Sequence, residues 1–410
     1  MGPLYRKIAL RLVPFLMLLY MVAFLDRVNI SFAALTMNRD LGISETLYGF
    51  AAGIFFFGYC LFEVPANLML ARIGARRWIA FLLIAWGTTS VATAFVANRP
   101  EYVAARFLLG VAESGFFPGV IFYLTLWLPR PIRARIMALF LLAVPLCSCV
   151  GSPISSHILL MEHVSGLKGW QWLFILEGAP AIILGAISWF VLADSPQSAK
   201  WVSAGEETQL ASELRADEEI QRSDTGNVWL QVARDSVVYF MYSVGLYGLT
   251  FWLPKVLVTA GTTTSATGWW AAMAYGVGAV NMVLVSRSRN KGWLSAMFLI
   301  ASAGFGCAGL FHGVAGALIG LSFASVGLFG GLPLFWSAAT SRMSGKATGA
   351  AIAIINSVGA IGGFTGPAAM GWLRDATHTF SAGLWTIAAC LCVGAFLAQG
   401  ASPNPTPAAQ

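Results

Sequence analysis

Charge is scarce in this sequence: only 10% of its 410 residues are Asp, Glu, Lys or Arg. Soluble domains carry about a quarter, so this chain cannot cover a water-facing surface. Histidine is scarcer still, with four residues, His157, His163, His312 and His378, near the ends of apolar stretches or in loops. No metal-ligand spacing and no Ser-His-Asp arrangement follows from them, and no glycine-rich nucleotide loop appears. A membrane-embedded enzyme or sensor would need such a constellation or a large soluble domain, so no catalytic role, metal or cofactor is expected. The six cysteines all fall in apolar stretches and read as small packing residues rather than disulfides. A secretory signal is missing as well. The first apolar stretch holds Asp26 and Arg27 and lacks a small-residue cleavage site, so it reads as a retained span.

Apolar residues are what the chain has in excess, at 58%. About twelve stretches reach the roughly 20 residues a bilayer crossing needs. They begin near Leu12, Leu47, Trp78, Tyr102, Ile136, Trp170, Val228, Trp269, Trp293, Gly313, Ala347 and Ser381. Helices are expected, because backbone groups in lipid must be satisfied within each segment. The fold class is therefore an all-α membrane protein of twelve transmembrane helices. Basic residues cluster in alternate connections (Arg6, Lys7, Arg11; Arg72, Arg76, Arg77; Arg130, Arg133, Arg135; Arg287, Arg289, Lys291; Arg342, Lys346), while the intervening loops are poor in them. That bias places both termini in the cytoplasm, as an even number of spans requires. The net charge of +7 is thus spread between spans and does not form a nucleic-acid patch.

One connection is polar and acidic. Between Asp194 and Asn227 lie Glu206, Glu207, Glu213, Asp217, Glu218 and Glu219, and Ser203-Ala204-Gly205-Glu206 reads as a capping box opening a short helix with Leu210 and Leu214 on one side. The expected organisation is an amino-terminal six-helix half over 1–193, a cytoplasmic linker over 194–227, a carboxy-terminal six-helix half over 228–399, and a cytoplasmic tail over 400–410. The halves repeat. The Arg72 to Trp78 loop has a counterpart at Arg287 to Trp293, and Gly151-Ser152-Pro153 one at Thr365-Gly366-Pro367, both at an offset of about 215 residues. Parallel repeats of this kind place a cargo site between two pseudo-symmetric halves, near mid-depth.

Several motifs carry a resemblance. Leu25-Asp26-Arg27-Val28-Asn29-Ile30, the run from Arg106 to Gly119, and Phe251-Trp252-Leu253-Pro254 resemble the anion:cation symporter family of major facilitator transporters. Phe62-Glu63-Val64-Pro65-Ala66-Asn67-Leu68 and Gly74-Ala75-Arg76-Arg77-Trp78 are similar to its bacterial tartrate and phthalate permease branch. The resemblance runs from about Arg11 to Leu397 and implies the major facilitator fold, alternating access, and carriage of a small organic anion (a sugar acid, dicarboxylate or aromatic carboxylate) with protons. It also implies a bacterial inner-membrane location and a functional monomer. Anion exchange and sodium coupling are the alternatives. The sequence departs from the facilitator loop motif at Ala71 and Ser286, where an acidic residue is usual before Arg72 and Arg287. Arg72, Arg76 and Arg287 are the expected cytoplasmic gate residues.

The residues themselves point to a pathway. A charge inside a span costs ~2.5–3.5 kcal/mol on insertion scales and usually marks function. Asp26 and Arg27 are adjacent, about 100° apart on a helix, and address different neighbours. Tyr20, Arg27 and Ser31 share a face within about 40°, a grip suited to a carboxylate. Arg106 and Glu113 are two turns apart, along about 10 Å of one face, with Gly110 between them leaving space. Asp26, Glu113 and Arg106 are the expected proton-coupling group, an assignment the family resemblance shares; a static ion-pair network is the competing reading. Tyr59, Trp336 and Asn356 complete the expected substrate contacts. Tyr59 and Asn356 are implied mainly by the resemblance, and Trp336 by an expected helix break at Gly330-Gly331-Leu332-Pro333. Glu63 and Glu177 read as structural.

Overall fold

Proline and glycine punctuate long apolar runs, and that punctuation sets the helix ends. The structure is a computed structural model and describes residues 2–222, 229–286, 292–341 and 347–399. Pro3 opens α1 (Pro3–Val28), where a missing N–H costs nothing, and the chain passes Asn29 into α2 (Ile30–Asp40). Together they form one apolar segment of 38 residues. Ser44 accepts from the Leu47 N–H to cap α3 (Glu45–Ile73), which stops at Gly74, φ +92°. There follow α4 (Ala75–Thr93), α5 (Arg99–Glu113), α6 (Phe116–Thr125), α7 (Arg130–Leu141), α8 (Ala143–Ile158) and α9 (Gly169–Val191). Beyond the connecting α10 (Ala204–Arg222) come α11 (Trp229–Ala260), α12 (Thr264–Val285), α13 (Trp293–Leu310), α14 (Val314–Ser341), α15 (Ala347–Thr377) and α16 (Ser381–Gln399).

Eleven segments of the described residues are long and apolar enough to cross a membrane. The remaining expected span is α4, a 19-residue helix whose first turn carries Arg76 and Arg77. It packs against α9 and α5. Large apolar side chains stay exposed on the outside of the bundle, Phe190 at 85%, Leu230 at 87% and Phe396 at 75%, as a lipid-facing surface requires.

Two breaks differ from expectation. The tenth span is not interrupted at Gly330-Gly331-Leu332-Pro333: α14 runs through it as one 28-residue helix. The fourth span is interrupted instead, at Ser114-Gly115 between α5 and α6. Gly115 has φ +83°, and a Cβ there would sit 2.5 Å from that of Ala66, so both the left-handed backbone and the close approach call for glycine.

The two-fold repeat appears in the packing. α3 lies on α15 and α8 lies on α12, so the second span of each half meets the fifth span of the other. A Cβ on Gly49 of α3 would fall 2.3 Å from the Pro367 carbonyl oxygen, and one on Gly268 of α12 would fall 2.6 Å from that of Ser152. The repeated Gly-Ser-Pro and Thr-Gly-Pro motifs are thus where the backbones of the two halves touch. Gly110 does not leave free space as expected. Its position is filled by α3, with the Phe55 carbonyl oxygen 2.0 Å from where a Cβ would stand.

The capping box forms: Ser203 Oγ accepts from the Glu206 N–H at 3.3 Å, and Glu206 accepts from the Ser203 N–H at 2.9 Å. α10 then docks on the start of α1. Lys7 pairs with Glu206 at 2.8 Å, which holds that carboxyl below the usual carboxylate range, and the Tyr5 hydroxyl bonds to Glu213. Leu210 is buried beneath the helix.

Candidate functional site

Closure on the face opposite the termini defines the state of the molecule. There α3 of the first half meets α11 and α15 of the second. Glu45 pairs with Lys255, whose ammonium lies 4.8 Å from the Tyr48 ring centre and 5.6 Å from that of Trp252. The Tyr48 hydroxyl donates to the Phe251 carbonyl oxygen at 2.7 Å, and Asp375 accepts from the Thr46 amide and hydroxyl at 2.7 and 2.6 Å.

Beneath this seal lies a cavity of about 70 Å³ between the halves. The first half supplies Tyr20, Phe24 and Arg27 from α1, Phe56 and Tyr59 from α3, and Phe117 from α6; the second supplies Tyr239, Ser243 and Tyr247 from α11, Trp336 from α14 and Asn356 from α15. Among the described residues, Arg27 is the one cation in this lining. Four of the expected substrate contacts, Tyr20, Tyr59, Trp336 and Asn356, therefore line the same cavity as Arg27. Ser31 does not: it is buried away from the cavity at 2% exposure.

Arg27 is held on one side by protein. Its Nε and Nη2 donate to Glu113 Oε2 at 3.1 and 2.7 Å, and Nη1 donates to the Tyr247 hydroxyl at 3.4 Å. The guanidinium also lies 5.0 Å from the Phe55 ring centre and 5.4 Å from that of Tyr59, within cation–π range. Glu113 ends α5 at the Ser114-Gly115 break, so the interruption of the fourth span aims this carboxylate at the first span. Its side chain is 1% exposed, against 11% for Arg27. Removing one partner of such a pair leaves a buried charge uncompensated, at a cost of about 3–5 kcal/mol.

The expected grouping of Asp26, Glu113 and Arg106 is rearranged. Arg106 makes no ion pair with either carboxylate among the described residues. Its Nη2 donates to the Arg27 carbonyl oxygen at 3.2 Å and its guanidinium lies 5.4 Å from the Phe55 ring centre, so it supports the backbone that carries Arg27. Asp26, fully buried, turns the other way and accepts from Ser90 Oγ of α4 at 2.7 Å. The roughly 100° between neighbouring helix positions separates it from Arg27 as the spacing requires.

Asn356 joins the cavity to a second contact between the halves, donating to Glu63 Oε1 at 3.1 Å. Glu63 therefore bridges α3 to α15 rather than acting within its own half. Of the arginines expected to gate the opposite face, the two that the structure describes, Arg72 and Arg76, form no ion pair between the halves among the described residues. Arg72 is exposed with no hydrogen bond or ion pair among the described residues. Arg76 pairs at 3.2 Å with Asp194, where the linker begins, and Arg287 lies outside the described residues.

Sequence reasoning missed the contribution of α11. Tyr239, Ser243 and Tyr247 repeat every four residues, one helix face, and all three line the cavity. That polar stripe through the middle of the helix was the available signal. The Tyr239 ring stands edge-on to Trp336 at 5.1 Å, so the missed residue positions the one that was found.

Over residues 16–367 the chain matches the Major Facilitator Superfamily. It belongs to that family. The protein is a multi-pass membrane transporter and not an enzyme. It is 44% identical over 402 residues, 96% of this chain and 93% of the relative, to an Agrobacterium vitis protein named "Putative tartrate transporter". It is 36% identical over 408 residues to the inner membrane transport protein RhmT of Escherichia coli K12, covering 96% of this chain and 94% of that one. These relatives agree with the tartrate-permease motifs read from the second span and the connection that follows it. Among solved structures, the inward-open xylose transporter XylE of E. coli superposes with a TM-score of 0.77 at 14% identity, covering 97% of both chains. That likeness shows the facilitator fold.

Proposed function

We propose that this facilitator is a proton-coupled symporter of a small organic anion, with tartrate-like hydroxy acids the best-supported class, working in a bacterial inner membrane with both termini cytoplasmic. The observation that carries the reading is Glu113 occupying Arg27 in the cavity wall. An incoming carboxylate meets a guanidinium already neutralised, and two anions compete for one cation. Protonating Glu113 releases Arg27 to the cargo, so anion and proton bind together. Burial strengthens this coupling, since charges interact far more strongly away from water. In this reading the halves, 1–193 and 228–399, rock about the cavity, with 194–227 linking them. Glu45–Lys255 closes the outer side, and Glu63–Asn356 stands on the inner route.

The aromatic lining and single cation favour a cargo with one indispensable carboxylate. The name of the tartrate relative and the basic bias of the terminal face support the cargo class and the orientation. In a thermal-shift panel on purified protein, small carboxylates including tartrate are expected to raise the melting temperature by several degrees, and more at lower pH, where Glu113 is protonated. Stabilisation by uncharged sugars alone would contradict the reading.

A further inference from the structure

Phe55 of α3 stands behind the cavity wall rather than in it. It is fully buried and outside the lining, yet two guanidiniums lie over its ring, that of Arg27 at 5.0 Å and that of Arg106 at 5.4 Å from the ring centre. The ring is fixed from several sides. Phe56 stands edge-on to it at 5.1 Å, the Tyr59 ring lies 6.1 Å away, and Gly110 lets α5 press on the Phe55 backbone. Polar partners of Arg27 are few. Of the three hydrogen bonds its guanidinium makes among the described residues, two go to Glu113 and the longest, at 3.4 Å, goes to Tyr247. Without Glu113, Arg27 is left with one hydroxyl and the rings of Phe55 and Tyr59. Tyr59 lines the cavity and is open to cargo, whereas Phe55 is not.

A cation held away from water without a counter-charge is costly. An aromatic face offsets part of that cost through its negative quadrupole, most strongly where water is excluded, and it brings no net charge to compete with an anion. We propose that Phe55 is the positioning residue that carries the Arg27 charge between release by Glu113 and arrival of the cargo, keeping the guanidinium at the cavity wall. With Glu113 in place the ring is secondary, because the ion pair already satisfies the cation. Arg106, whose Nη2 is committed to the Arg27 carbonyl oxygen, is not a partner of Glu113 and should feel the ring equally with and without it. The interval itself rests on the proton-coupled reading above; the dependence of an uncompensated Arg27 on the Phe55 ring does not.

The test is a cycle of thermal melts on the full chain in nanodiscs. Phe55 is replaced by mono-, di- and trifluorophenylalanine, which keep the shape of the ring while draining its negative face, in wild type and in Glu113→Gln. In wild type the series is expected to change the melting temperature little. In Glu113→Gln, where Arg27 stands without a counter-charge, each step should lower it, by roughly 2–4 °C at the trifluoro ring. Adding Arg27→Gln to that background should return the series to the wild-type slope, and tartrate should flatten it by supplying the missing charge. Should Glu113→Gln not survive purification, Glu113→Asp, which keeps the charge but stretches it from Arg27 by one methylene, should show the same trend at smaller size. Equal shifts with and without Glu113 would mean that Phe55 only packs and would overturn the proposal, as would no shift in either background. A trend removed by Arg27→Gln but indifferent to tartrate and other small carboxylates would keep the role of Phe55 and count against the cargo reading instead.

Discussion

Replacing Arg27 with lysine is expected to lower uptake at least tenfold, about 1.4 kcal/mol or more in cargo binding, while the protein remains folded and membrane-inserted. The charge survives this change, so Glu113 keeps a partner and the buried pair is not orphaned. What is lost is geometry. In the structure Nε and Nη2 are spent on one Glu113 oxygen and Nη1 reaches Tyr247 at 3.4 Å, a division of labour a single ammonium cannot reproduce. A cargo carboxylate replacing Glu113 would bind the same fork with two parallel bonds. Arg27→Ala should be worse in both respects, because it leaves Glu113 buried alone; pairing it with Glu113→Gln should restore expression but not uptake. Uptake by well-expressed Arg27→Lys at the wild-type rate would remove Arg27 from the binding site.

Glu113→Gln should separate coupling from movement. The amide mimics the protonated acid, so Arg27 is permanently available to the anion, and its charge stands without a counter-charge until cargo binds. Accumulation driven by an imposed pH step is expected to fall to the equilibrium level, while counterflow between equal pools should continue at a comparable rate, since a loaded carrier still reorients. The structure strengthens this expectation beyond what spacing alone gave, because Glu113 and not Asp26 holds the cavity arginine. Loss of both activities would favour the static ion-pair network; accumulation at wild-type level would exclude Glu113 as the coupling group.

Much of the architecture was legible because lipid enforces it. Each span must satisfy its own backbone, so apolar length alone found the helices, and glycine and proline marked the places where the halves touch. The membership of the site was legible for the same reason: Arg27 and Glu113 are expensive in a span and stand out. Their pairing was less accessible. Helical spacing relates Arg106 to Glu113 along one face, but it does not say which neighbouring helix that face meets. The turn at Ser114-Gly115 decides this by directing Glu113 to the first span. The opposite error arose at Gly330-Gly331-Leu332-Pro333, where α14 stays helical despite residues that often break one. Such a proline is tolerated where neighbouring helices enclose the segment, and neighbours are invisible to a local motif. Tyr239 and Tyr247 were passed over because tyrosine in an apolar helix reads as packing until the cavity is seen.

The measurement that bears most directly on proton-coupled anion symport is tartrate accumulation by the wild-type protein in liposomes, with an inward proton gradient and no sodium. The account predicts accumulation above the external concentration that follows the size of the pH step, collapses on addition of a protonophore, and disappears in Glu113→Gln. Accumulation that ignores the pH step and appears only with an inward sodium gradient, or only when a second anion is trapped inside, would contradict it.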